Sequence, residues 1–268
     1  MKTWKIVCLW LLVPPVLLAA VAAWVIWGGI SNPRDRNTVG DIATPVGYER
    51  VAVDSGSFGA FLRDFPLQRR GARIRYYDGS LAYGQYLGYA VLDLPIFGKD
   101  EQCADSAMRL RAEYLWLQGK YGDIHFPSVE GKNLQDKRGS AGGARQDDHQ
   151  SLERYLRSVY GKASTASLSR ALPRKKACDI TPGDILVYDA SRTGLYGHAV
   201  TVADVAVNPK TGDIAVLLVE GSMPAQSIHI ARNLVNPLYS PWIKLNPENV
   251  EILSSGFLHF NQTDLRSW

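Results

Sequence analysis

Cysteine and histidine are scarce in this chain: three of the first and five of the second in 268 residues. Neither type shows the CxxC or HxxxH pairing that a zinc site draws on, so no metal and no cofactor is expected. A phosphate-cradling glycine loop and a GxSxG elbow are missing too, which leaves nucleotide chemistry and serine hydrolases of that type without a motif. Charge of one sign is not concentrated either. Thirty Lys and Arg face 26 Asp and Glu, for a net charge of +4, and the basic residues scatter apart from Arg69-Arg70 and Arg174-Lys175-Lys176. With no basic stripe to track a phosphate backbone, nucleic acid is not an expected partner. No internal repeat is visible.

One long stretch lacks charge altogether. Residues 6 to 30, IVCLWLLVPPVLLAAVAAWVIWGGI, follow Lys2 and Lys5, and a bilayer core takes about 20 such residues as a helix. Ala20-Val21-Ala22 has the small residues of a signal-peptide cleavage site, but cutting there would leave Trp24-Val25-Ile26-Trp27 as an apolar stub. An uncleaved transmembrane anchor over 1–30 is the favoured reading, kinked at Pro14-Pro15, with Trp24 and Trp27 suited to the membrane interface. Lys2 and Lys5 tie with Arg34 and Arg36 as orientation signals. A start-of-chain anchor before a long polar domain is expected to send that domain across the inner (cytoplasmic) membrane, to face the periplasm or the outside. Cys8 sits too early to be a lipid-modified cysteine.

Residues 31–45, SNPRDRNTVGDIATP, read as a linker, and 46–268 as a single domain. In its first half, YERVAVD, ARIRYYDGS and QYLGYAVLDLPI are strand-like, and SGSFGAFLRDFPL is a short Ser-capped helix ended by Pro66. A longer helix then opens near Asp100, its expected N-cap, with a stripe at 103, 107, 110, 114 and 117 and an end at Gly119. On it, Arg109 and Glu113 are spaced as a surface i,i+4 pair. DDHQSLERYLRSVYG and STASLSRAL are further helices. TPGDILVYD, GHAVTVADVAVN and GDIAVLLVEGS are successive strands, with PKTG turning the last two into a hairpin. Helices first and an antiparallel meander afterwards argue an α+β fold.

The residues that carry chemistry follow from this layout. Strict alternation sets His198, Val200, Val202 and Asp204 on one face of their strand, and Ile214, Val216, Leu218 and Glu220 on one face of the next. Across a hairpin the start of one strand meets the end of the other, so His198 and Glu220 are expected to be neighbours. Cys103 stands near the helix N-terminus, where free N–H groups and the dipole favour a thiolate. Three readings stay open for it: nucleophile, core filler on the buried stripe, or disulfide partner of Cys178. Gln102, His125 in DIHF, and Gln226 in MPAQ are candidate substrate contacts. His125 reads first as a structural histidine, and Gln226 equally as closing a turn.

A cysteine at a helix start, a strand histidine and a carboxylate behind it resemble the arrangement of papain-like hydrolases. PGDILVY before GHAV resembles the NlpC-type and CHAP-type amidases, whose layout is a helix followed by an antiparallel meander or half-barrel. Over most of the domain, QCADSAMRLRAEYL, DIHF, TPGDILV, GHAVTVADVA, MPAQSIHI and SPW resemble the bacterial family called domain of unknown function 4846. That resemblance implies no activity by its name. The papain-like one implies Cys103 as nucleophile, His198 as base and Glu220 as orienting group, with helix N–H groups holding the oxyanion. The expectation is a membrane-anchored extracytoplasmic thiol hydrolase of amide bonds, with cell-wall peptide as the substrate suggested by location. A non-catalytic binding or scaffolding domain on the same fold is the alternative. Oligomeric state is not legible.

Overall fold

The structure, a computed structural model, describes residues 37–135, 149–245, 252–254 and 258–268, together with positions 15 and 17. The segment read as a membrane anchor otherwise lies outside the described residues. Among the described residues no helix is long and apolar enough to cross a membrane.

The architecture is α+β. Among the described residues the strands run in chain order: β1 (Glu49–Arg50), β2 (Gly88–Val91), β3 (His125–Pro127), β4 (Asn133–Gln135), β5 (Ile185–Tyr188), β6 (His198–Val207), β7 (Ile214–Glu220), β8 (His229–Ala231), β9 (Ile243–Leu245), β10 (Ile252–Ser254), β11 (Leu258–Phe260) and β12 (Leu265–Arg266). Helices α1 (Phe58–Arg63), α2 (Cys103–Leu117), α3 (His149–Tyr160) and α4 (Thr165–Ala171) join them. The main sheet is antiparallel, in the order β12-β5-β6-β7-β8-β2, with β1 also on β6 and β9 also on β7. The pairs β3-β4 and β10-β11 stand apart.

The three strand runs and the turn at 208–213 fall as the alternation predicts. The N-terminal strands do not. YERVAVD is regular only over β1, QYLGYAVLDLPI only over β2, and ARIRYYDGS makes isolated bridges at Arg75 and Tyr76. The core also begins earlier than residue 46: Val39 and Ile42, within the stretch read as linker, are fully buried.

Helix α2 is buried on nearly every side, which a surface amphipathic helix would not be. Ala104, Ala107, Met108, Leu110, Ala112 and Leu115 enter the core, and Asp105, Ser106, Arg109 and Glu113 are buried as well. Arg109 is therefore no surface residue. It donates to Glu113 Oε1 at 2.8 Å and Glu101 Oε2 at 3.0 Å, at 1% exposure. His149, opening α3, meets the same Glu113 carboxylate at 2.9 Å and draws α3 against α2. A buried guanidinium is tolerated here because carboxylates flank it on both sides.

One register detail corrects the alternation. An extra residue in β6, between Val202 and Asp204, shifts its pairing with β7. Val200 and Val202 stay on one side with Leu218, but Asp204 turns away from them. Fully buried, it accepts from Arg63 Nε at 2.7 Å and pairs with Arg50, tying α1 and β1 to the sheet.

Candidate active site

Three elements converge on one point. Helix α2 begins with Cys103 itself. Its N-cap is Gln102 and not Asp100, because two tight turns precede the helix, with Glu101 N–H bonded to Gly98 O and Gln102 N–H to Asp100 O. Asp105 reaches back to accept the Gln102 N–H at 3.0 Å, and the first intrahelical bond runs from Ser106 N–H to Gln102 O at 2.8 Å. The N–H groups of the first turn before Ser106 are left without helical acceptors.

Strands β6 and β7 bring the other two groups. Thr201 stands opposite Val219, so His198 lies diagonally across from Glu220, and its Nε2 is 3.0 Å from Glu220 Oε2. Cys103 and His198 line the same groove, and the thiol is among the groups that raise the imidazole. With Nε2 engaged by the carboxylate, Nδ1 is the ring nitrogen left for the sulfur. Cys103 is partly exposed while His198 and Glu220 are buried, so only the sulfur end of the row meets solvent freely.

Two glycines permit this convergence. A Cβ on Gly221, next to Glu220, would lie 2.0 Å from Ser106 Oγ and 2.9 Å from Ser106 Cβ. A Cβ on Gly197, next to His198, would lie 2.1 Å from Thr165 Oγ1 and 2.7 Å from the Tyr188 carbonyl oxygen. Strand ends and helix starts thus touch backbone to side chain at both flanks of the site.

The electrostatics are decided by contacts within the row. Burial alone would pull His198 down, but its bonds to Cys103 and Glu220 prevail and raise it to about 10. Burial alone would push Glu220 up. Its bond to His198, followed by the influence of His229, holds it at about 2. His229 Nε2 stands 3.6 Å from Glu220 Oε1, an ion-pair distance rather than a hydrogen bond. Its Nδ1 donates to Ser227 O at 2.9 Å, which fixes the ring with Nε2 toward the carboxylate. Asp105 is pushed up to about 8 by burial, with the nearby Glu101 and Asp100 carboxylates adding to the rise.

These shifts set a pH dependence of stability. His198 lies above its ordinary 6.5, so its contribution is complete below pH 6.5 and lost as pH rises through about 10. Glu220 lies below its ordinary 4.5, so its contribution is complete above pH 4.5 and lost as pH falls through about 2. Asp105 adds a loss as pH rises through about 8. The unfolding midpoint is expected to decline above pH 3.8 through Asp105 and above pH 6.5 through His198 as well, and His198→Asn is expected to flatten the part of that decline that ends near pH 10. Thermal unfolding across this range decides it; equal alkaline slopes in both proteins would contradict the assignment.

A groove of about 500 Å³ opens on the thiol, lined among others by Gln102, Cys103, Tyr160, Tyr188, Tyr196 and His198. Of the six residues singled out in the sequence, Cys103, His198 and Glu220 come together, and Gln102 lies beside them. Gln226 is buried, pairs with Tyr76 in an isolated bridge and does not line the groove. His125 is exposed on β3 and lines a separate cavity. Cys103 and Cys178 are both free, with Cys178 exposed. Among the described residues no cluster of His, Cys, Asp or Glu could hold a metal ion.

Sequence reasoning passed over His229 and Asp105. The first carried a readable signal: in SIHI the histidine alternates with two isoleucines, and β8 pairs with β7 so that His229 stands directly opposite Glu220.

The molecule is thus an α+β domain with a helix-borne thiol, a strand imidazole and a buried carboxylate in one row. Residues 39–267 match the family described as a domain of unknown function (4846), and the chain belongs to that family. No curated protein and no solved structure matches it.

Proposed function

We propose that this protein is a thiol hydrolase of amide bonds with a papain-like arrangement of catalytic groups. The supporting observation is the buried imidazole, bonded to the Glu220 carboxylate and opening with the Cys103 thiol on one groove. In this reading His198 takes the thiol proton and the sulfur attacks the carbonyl carbon. The oxyanion turns to the free N–H groups at the start of α2 and to the Gln102 side chain. His198 then gives its proton to the leaving amine, and water hydrolyses the thioester with the same residue as base. Glu220 orients the ring and balances its charge. The uncharged segment 6–30 supports an anchor with the domain outside the membrane, and that location favours cell-wall peptide as substrate.

The test is a digest of peptidoglycan peptides with the full-length protein, read by release of free amino groups and by an acyl adduct on Cys103. Cys103→Ala is expected to lower the rate by about 10⁴-fold or more. Absence of both new amines and adduct would overturn the hydrolase reading and favour a binding role for the groove.

A further inference from the structure

A second cavity, of about 510 Å³, lies along α2 and shares no lining residue with the catalytic groove. Arg111 on its wall is eight residues beyond Cys103, about 12 Å along the helix axis. Its guanidinium rests against the rings of Phe58 and Tyr114, 5.1 and 5.3 Å from their centroids, and makes no hydrogen bond or ion pair among the described residues. Beside it the Trp268 indole nitrogen is a buried donor without an acceptor. Arg111 and Trp268 also border a neighbouring cavity of about 380 Å³, so the pair forms the partition between two hollows. The His125 ring, which the catalytic site does not use, faces the larger one.

Donors without acceptors in a concave wall mark a place for an acceptor. Arg111 is half-buried, and burial depresses its basicity although the Asp123 carboxylate opposes the shift. Its edge is a planar fork that matches a carboxylate. The other polar groups limit the charge of the ligand. Lys132 is already paired with Glu130 at 2.9 Å, and Asp123 at the rim is exposed and acts on Arg111 through its charge without a direct ion pair among the described residues. One free cation beside a rim carboxylate suits a monoanion better than a dianion. Leu115, Leu172 and Pro127 supply apolar walls, and the volume falls in the range of small-molecule sites. We propose that this cavity binds a ligand carrying a single carboxylate on a small apolar body, held by Arg111 and the Trp268 indole.

The experiment uses the full-length chain with ¹⁵N-labelled tryptophan, the Trp268 signal being assigned with Trp268→Phe. Phenylacetate is expected to shift the Trp268 indole resonance saturably. Phenylacetamide, its neutral counterpart, is expected to bind about tenfold or more weakly. Arg111→Gln is expected to remove the preference for the acid while leaving Cys103 alkylation unchanged. Equal binding of acid and amide, or no saturable shift of this resonance by either, would overturn the proposal; so would an acid preference that survives Arg111→Gln. The comparison of acid and amide in the unaltered protein decides the matter even if that variant does not fold. None of these outcomes depends on Cys103 being catalytic.

Discussion

With Glu220 replaced by glutamine, alkylation of Cys103 at mildly acidic pH is expected to slow by about a hundredfold, and hydrolysis to fall by about 10²- to 10⁴-fold. The amide can still sit near His198 Nε2, so the ring need not be displaced. What is lost is the negative charge. In the unaltered protein the carboxylate holds an imidazolium in a buried position where desolvation opposes it. Without that charge the ring prefers neutrality and no longer sustains a thiolate beside it. The carboxylate oxygen 3.6 Å from His229 Nε2 goes at the same time. Mass-spectrometric alkylation rates for both proteins, with exposed Cys178 as internal reference, provide the check. An unchanged ratio of Cys103 to Cys178 labelling would show that Glu220 has no electrostatic role.

Gly221→Ala is the second large effect expected. Its new Cβ would have to share space with Ser106, whose Oγ donates to Gln102 O at 2.8 Å. Either the serine leaves that bond or the start of α2 moves away from the end of β7. The first costs a hydrogen bond in the turn that presents Cys103, and the second separates Cys103 from Glu220 directly. A loss of about 1–3 kcal/mol in stability is expected, with a larger proportional loss of thiol reactivity. Ser106→Ala in the Gly221→Ala background removes the 2.0 Å overlap but keeps the 2.9 Å approach to Cβ, so it is expected to restore reactivity only in part. Ser106→Gly removes both and restores more. Denaturant unfolding with alkylation rates across the unaltered protein, Gly221→Ala, the two Ser106 single variants and the two double variants measures the coupling. Additive effects would mean that this contact does not set the position of the helix.

The row of Cys103, His198 and Glu220 was legible because periodicity carries it. A hairpin with a histidine at one strand's start and a glutamate at the next strand's end has few registers that leave both faces intact. What alternation missed came from departures from ideal geometry. The extra residue before Asp204 turned a residue expected on the His198 face of the strand into the anchor for Arg50 and Arg63. Arg109 and Glu113 fit the spacing of a surface pair, but Pro95 and Glu101 ahead of α2 and His149 of α3 enclose them, which no local pattern reveals. The cap moved from Asp100 to Gln102 because turns at Gly98 and Asp100 delay the helix, bringing Cys103 to its first position. His125 was read as a candidate for the one site in view, whereas its hairpin belongs to the cavity beside Arg111.

The most direct test of the central assignment is the pH profile of Cys103 alkylation by iodoacetamide in the full-length protein. A thiol paired with an imidazole that stays charged to about pH 10 is expected to react at a nearly constant rate from mildly acidic to mildly alkaline pH. Cys178, free and exposed beside the Asp179 carboxylate, is the reference thiol followed over the same range. In His198→Asn the Cys103 profile is expected to collapse onto that of Cys178. A Cys103 rate that rises in parallel with Cys178 in the unaltered protein, or a profile unmoved by His198→Asn, would contradict the account.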